Sequence, residues 1–285
     1  MTTPDPAAIK EEQREFWAKA SAGWRIADER IRRQMAPMTE RMMEMGKIGR
    51  GMRVLDLASG TGEPGLPIAH AVGIDGHVLL SDQVVEQLDF AKEKAAAQGL
   101  MNVEFRVADA ETLEVEGGTF DAVTCRWGIM FMPEPVRCLR MAYEALKPGG
   151  RLVLGVWGAP NLNPFFTVPW QALLKSAPDV KPPQVGEVGS VYAFAERSRL
   201  VSVMSEAGFR DIVTEDVELT PVHYPNAEVY WTTLQTGGLV ARELQQLSEE
   251  QRAAVKQDLF EIVAGGDPEA PVRLDGYAIA AVGRK

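Results

Sequence analysis

From Arg53 onward the chain alternates short apolar runs with amphipathic stretches, and no other feature narrows the fold as much. Strand-like runs stand at 53–57 (RVLDL), 77–81 (HVLLS), 103–107 (VEFRV), 120–125 (FDAVTC) and 151–157 (RLVLGVW). Short, continuously apolar strands separated by helices imply a parallel sheet covered on both faces. Residues 84–97 gather Val84, Val85, Leu88, Ala91 and Ala95 on one helical face and stop at Gly99. A helix over 136–146 ends at Lys147-Pro148-Gly149-Gly150, a turn that launches the fifth strand. The expected class is α/β.

The first strand closes on Asp56 and opens into Gly60-x-Gly62-x-x-Gly65. That spacing matches the dinucleotide fingerprint, in which glycines make a tight turn and let the backbone approach the ligand. Asp56 argues against a dinucleotide. A pyrophosphate would sit against the turn and the following helix N-terminus, where a nearby carboxylate repels it. The same carboxylate suits a ligand that brings positive charge and no phosphate.

Ligands of open α/β sheets bind beyond the carboxyl ends of the strands. The second strand ends at Asp82, twenty residues after Gly62, where a carboxylate can accept from both hydroxyls of a ribose. The third ends at Asp109-Ala110 and the fourth at Cys125-Arg126-Trp127-Gly128. Carboxylates at three successive strand ends are costly as packing. The bland alternative is that each caps a helix.

The remaining chain bounds the function. With 40 acidic and 30 basic side chains the formal charge is -10, which opposes a nucleic-acid partner. Cys125 and Cys138 lack metal-ligand or disulfide spacing, so no metal is expected and a cytoplasmic location is. The opening MTTPDPAAIKEEQREFW has no apolar core of a signal peptide, and no apolar run approaches the ~20 residues of a membrane helix. Integral membrane association is therefore not expected. His70, His77 and His223 are scattered, and none is assigned a catalytic role.

Residues 7–46 read as two or three helices, with Met35, Met38, Met42 and Met45 on one face as core or as an adaptable lid. The domain reading is an N-terminal helical lid over 1–48 and a Rossmann-like domain over 49–285. Acceptor-side insertions fall at about 158–193, rich in proline and aromatics, and at 222–265. Within the second, residues 226–264 read as helical and Ser248-x-x-Gln251 as a capping box. Strands are expected at 211–219 and 276–282.

VLDLASGTGEPG, SDQ, VADAETL, FDAVTCRWGIMFM and LKPGGRLVLGVW, in this order and spacing, resemble the class I S-adenosylmethionine-dependent methyltransferases, in particular their ubiquinone/menaquinone C-methyltransferase-like branch. The resemblance is strong over residues 50–158. It implies a doubly wound seven-stranded sheet of order 3-2-1-4-5-7-6 with the last strand antiparallel. It also implies S-adenosylmethionine as cofactor and a small-molecule methyl acceptor.

Residue by residue, the resemblance implies that Asp56, Ala58, Gly60 and Gly62 hold the methionine moiety. Asp82 would bind the ribose hydroxyls, with Gln83 beside the adenine and Gln87 near the ribose or methionine. Asp109 and Ala110 would face the adenine, Arg126 and Trp127 would border the methionine end, and Trp24 would cover the pocket. CRWG stands where amino methyltransferases place an Asn/Asp-Pro-Pro-aromatic motif, which weakens N-methylation of nucleobases or glutamine. Two other functions fit the glycine turn: an NAD-dependent oxidoreductase, and a binding protein that keeps the cofactor without turnover. The sequence fixes neither a general base, nor the acceptor, nor the oligomeric state.

Overall fold

A computed structural model describes residues 5–236 and 240–285, and a seven-stranded sheet organises them. Its strands are β1 (Arg53–Leu57), β2 (His77–Asp82), β3 (Val103–Val107), β4 (Phe120–Arg126), β5 (Leu146–Trp157), β6 (Arg210–Glu218) and, last in the chain, β9 (Tyr277–Arg284). Their order is β3-β2-β1-β4-β5-β9-β6, with β9 antiparallel to both neighbours. This is the expected 3-2-1-4-5-7-6 arrangement, β9 being the seventh strand of the sheet. Leu55 pairs with Leu79 of β2 on one side and with Val123 of β4 on the other.

The continuous apolar runs follow from burial on two faces. Val54, Val78, Leu80 and Ala122 cluster with α2 (Gly65–Val72) and α3 (Val85–Ala97). Their chain neighbours Leu55, Leu79 and Val123 cluster instead with α4 (Pro135–Ala145) and α6 (Arg197–Glu206). The period-two pleat thus sends adjacent residues to opposite helical layers. β5 starts five residues earlier than expected, because Leu146 already pairs with Phe120 across a register shift.

The N-terminal segment is one helix, α1 (Pro6–Gly46), and not two or three. Asp5 caps it by accepting from the Ala7 amide, and Lys47 ends it in the left-handed region. Pro37 lies inside and costs one backbone hydrogen bond. Packing carries the helix across it: Met35, Met38, Met42 and Met45 are all buried, with β5 and β9 beneath. The methionine stripe is core.

The later segments build a second apolar cluster. It joins α5 (Pro164–Ser176), β7 (Val222–Tyr224), α7 (Ala227–Thr236), α8 (Ala241–Gln246), α9 (Glu249–Ala264) and β8 (Val272–Leu274). The capping box at Ser248 and Gln251 starts α9 as expected. β7 and β8 pair antiparallel through Val222 and Leu274, a ribbon too short to leave a periodic signature in the sequence. Residues 1–4 of the expected N-terminal lid and 237–239 of the 222–265 insertion lie outside the described residues.

Candidate functional site

A cavity of about 800 Å³ opens beyond the carboxyl ends of β1 to β4, within the range of about 300–1,000 Å³ usual for ligand sites. The N-terminal two thirds of α1 roofs it, and the second apolar cluster closes its far end through Trp170, Tyr224 and Val240. Of the residues expected at a ligand, Ala58, Gly60, Asp82, Gln83, Gln87, Asp109, Ala110, Arg126, Trp127 and Trp24 all line it. Asp56 and Gly62 do not.

The turn after β1 needs its glycines for space as well as for dihedral freedom. Gly60 has φ 53°, and a Cβ there would stand 2.8 Å from Gln87 Oε1. Gly60 N–H donates to Asp82 Oδ2 at 2.8 Å, while Asp82 Oδ1 accepts from Val84 N–H at 2.9 Å. The β2 carboxylate therefore ties the glycine turn to the start of α3. Burial raises its pKa, and the amides of Val84, Gly60 and Gln83 work against that rise.

Asp56, expected at the methionine moiety, does not line the cavity. It shares its parity along β1 with Val54, so the pleat turns it beneath the turn, fully buried. Thr124 Oγ1 donates to its Oδ1 at 2.6 Å, and Oδ2 has no hydrogen-bond partner. Burial pushes its pKa up to about 7, against the Thr124 hydroxyl and the Arg126 charge. Gly62, at φ 97°, sits behind the wall against Leu66.

At the end of β3, Asp109 Oδ1 accepts from Glu111 N–H at 2.9 Å, and its Oδ2 accepts from Lys10 Nζ of α1 at 2.7 Å. Lys10 also pairs with Glu111, whose side chain is fully buried. Further along the roof, Trp17 meets Trp24 edge to face at 6.0 Å and Phe131 at 5.2 Å. Asp28 pairs with Lys94 of α3 at 2.7 Å, and Arg25 pairs with Glu93.

The β4 end supplies the aromatic wall. Trp127 holds a left-handed backbone, φ 64°, strain of about 1–3 kcal/mol of the kind that persists at functional sites. Its ring stacks on Trp157 at 4.5 Å and 14°, and Phe166 meets Trp157 edge-on at 4.7 Å. Arg126 is buried, with Nη1 donating to Thr39 Oγ1 at 2.7 Å. Burial lowers its pKa, opposed by the charges of Glu63, Asp56 and Asp28. Glu63 also lines the cavity, and burial raises its pKa.

Sequence reasoning does not single out Lys10, Trp17, Arg30, Gln34, Glu63 or Trp157, which all line the cavity. A signal existed for part of this set. Lys10, Gln13, Trp17, Trp24 and Ile31 recur at helical spacings of three, four and seven, one face of a single long helix. None of His70, His77 and His223 lines the cavity, and Cys125 and Cys138 are buried and free. Among the described residues no group of metal-ligating side chains is found.

A family model described as a methyltransferase domain matches residues 48–164. The ubiquinone/menaquinone biosynthesis C-methyltransferase UbiE of Pectobacterium carotovorum is 31% identical over 178 residues, spanning 60% of this chain and 71% of that protein. UbiE of Cronobacter sakazakii is 33% identical over 173 residues, spanning 58% and 69%. A Bacillus halodurans putative methyltransferase shares the fold at TM-score 0.56 and 20% identity, covering 87% of this chain and 98% of that one. So does the putative methyltransferase complexed with Trm112 from Haloferax volcanii, at TM-score 0.57 and 16% identity over 95% and 96%.

Proposed function

The chain belongs to the UbiE-like branch of the class I S-adenosylmethionine-dependent methyltransferases, and from that premise we propose that its acceptor is an apolar or aromatic molecule held against Trp127, Trp157 and Phe166. It is a methyltransferase acting on a small molecule, with S-adenosylmethionine as cofactor. An NAD-dependent oxidoreductase and a turnover-free binding protein are not favoured.

The observation that carries the acceptor reading is continuity. One cavity joins the strand-end carboxylates Asp82 and Asp109 to stacked indoles. The first half suits a cationic, phosphate-free nucleoside, because Glu63, Asp82 and Asp109 line it beside a turn open to backbone approach. Asp82 is assigned to the ribose hydroxyls, Gln83, Asp109 and Ala110 to the adenine, and Gln87 to the ribose or methionine. Ala58 and Gly60 are assigned to the methionine part, with Arg126 and Trp127 at its border and Trp24 as cover. Asp56 and Gly62 support the turn from behind.

When bound, the cofactor supplies an electrophilic methyl group on a good leaving group. The side chains have two tasks: to align the acceptor with that methyl and to exclude water. The roof of α1, with Trp17 and Trp24, serves the second, and the Trp127–Trp157 stack serves the first. A reducing cytoplasm suits the two free, buried cysteines, and the formal charge of -10 argues against a nucleic-acid partner. Among the described residues no helix is long and apolar enough to cross a membrane.

The test is incubation with methyl-labelled S-adenosylmethionine and a panel of quinols, phenols, amines, thiols, peptides and nucleotides. Label is expected in an aromatic or apolar acceptor. Turnover confined to peptides or polyanions would remove the proposal.

A further inference from the structure

We infer that Arg30, Gln34 and Tyr224 form an oxyanion-binding wall at the acceptor end of the cavity, so that the acceptor is an aromatic molecule bearing an anionic oxygen. This rests on the methyltransferase reading and gives its acceptor a charge.

Arg30 and Gln34 stand four residues apart on α1, hence on one face, and both line the cavity. Lys10, twenty residues before Arg30, is about 30 Å away along the helix and sits on Asp109. Arg30 therefore lies far along the roof from Asp109, beside Tyr224 of the second apolar cluster. Tyr224 faces it from β7: Arg30 Nη1 donates to Tyr224 Oη at 3.0 Å, and the guanidinium carbon stands 5.6 Å from the ring centroid.

The charge balance distinguishes Arg30 from the other cations lining the cavity. Lys10 is paired with Asp109 and Glu111, and Lys19 with Glu15. Arg126 lies in the field of Glu63, Asp56 and Asp28. Among the described residues Arg30 makes no ion pair, and its hydrogen-bond partner is a neutral phenol. A partly buried guanidinium with only a phenol beside it is an incomplete pair, and a planar oxyanion completes it.

Gln34 adds an independent observation. It is 4% exposed, and its Nε2 has no hydrogen-bond partner. Buried amide donors are nearly always satisfied, so an orphan on a cavity wall calls for an acceptor atom from a ligand. Tyr224 supplies a third donor, because its hydroxyl accepts from Arg30 while its own proton stays free to be donated. Burial raises its pKa, which keeps that proton in place despite the nearby Arg30 charge.

The surroundings define the rest of the ligand. Ile31, Phe165, Trp170, Leu234 and Val240 line the same end. Three donors set in an apolar and aromatic wall fit a flat hydrophobic body with one oxyanion at its rim. An amine acceptor would place its ammonium against Arg30. A ring carboxylate and a phenolate offer the same chemistry, and the measurement separates them.

The test is isothermal calorimetry at pH 8 on protein loaded with S-adenosylhomocysteine. One arm compares 2-naphthoate with neutral 2-naphthalenemethanol, and the other compares 4-nitrophenolate with 4-nitrobenzyl alcohol. At least one anion is expected to bind about tenfold more tightly than its neutral counterpart. A preference in the first arm alone identifies a carboxylate, in the second alone a phenolate, and in both a site for either. Arg30→Gln should abolish the preference while leaving the neutral alcohols and S-adenosylhomocysteine within twofold of wild type. Gln34→Leu should weaken the anions and lower the preference without abolishing it. Equal binding of anion and alcohol by the wild type, or a preference that survives Arg30→Gln, overturns the inference alone. Failure of the wild type to bind S-adenosylhomocysteine would overturn the methyltransferase reading, and the inference with it.

Discussion

Lys10, near the start of α1, holds its ammonium 2.7 Å from the carboxylate of Asp109 at the end of β3. The roof is thus fastened to a residue assigned to the adenine. Burial works against the Lys10 ammonium, but Asp109 and Glu111 outweigh it and hold its pKa above the ordinary value.

Lys10→Met should therefore act in two directions. Asp109 Oδ2 is released, so S-adenosylhomocysteine should associate faster, as read by stopped-flow tryptophan fluorescence. Glu111 is left buried with only the Glu134 amide, so stability should fall by about 1–3 kcal/mol, less than for a fully buried pair because Lys10 is partly exposed. An unchanged association rate would show that Lys10 does not compete for Asp109.

Asp56 predicts a pH dependence. Its folded pKa of about 7 lies above the ordinary 3.8, so the native state holds a proton that the unfolded chain has lost between those values. The protonated form favours folding at low pH, and this contribution is lost as pH rises from about 4 through about 7. Asp56→Asn keeps an acceptor for Thr124 and removes the titration. Unfolding free energies of wild type from urea titration should decline across that window relative to Asp56→Asn, by on the order of 4 kcal/mol in total. Parallel profiles would show that Asp56 is ionised throughout.

Asp82 combines two tasks, and Asp82→Asn separates them. Its oxygens accept from Gly60 and Val84 amides, and asparagine can satisfy only one of those donors. Stability should fall by about 1–3 kcal/mol. S-adenosylhomocysteine affinity should fall at least tenfold, a larger loss than the stability change alone explains. Cofactor affinity within twofold of wild type would remove Asp82 from the ribose.

Gly128→Ala tests how closely the turns after β1 and β4 are pressed together. A Cβ at Gly128 would stand 2.4 Å from Ala58 Cβ, and Ala58 itself holds a left-handed backbone. The two turns must separate, at a cost of about 1–3 kcal/mol. Thermal denaturation should show the loss, with weaker cofactor binding because Ala58 lines the cavity. Wild-type melting would mean that the contact relaxes freely.

The sheet was legible because its central strands, such as β1, β2, β4 and β5, are buried on both faces and its turns carry glycine and proline. The sidedness of Asp56 was legible in principle: it shares its parity with Val54, whose face packs on α2, while ligands sit beyond the strand end. The continuity of α1 was not, since Pro37 reads locally as a break and only the packing of Met35 to Met45 on the sheet overrides it. Nor was the pairing of Arg30 with Tyr224. The two lie 194 positions apart, and no local pattern connects them.

Pro37 gives α1 a mechanical asymmetry. From Gln34 onward the helix is embedded in the core, and before it the helix is held by ion pairs at its sides and by the contact of Trp17 with Phe131. Lys10 is 27 residues from Pro37, a lever arm of about 40 Å, whereas Arg30 is only about 10 Å from it. A hinge rotation of about 10° at the proline would lift Lys10 by about 7 Å and Arg30 by about 2 Å. Such a rotation would open the nucleoside end while the acceptor end scarcely shifted, a route for spent cofactor that would leave the acceptor's seat in place.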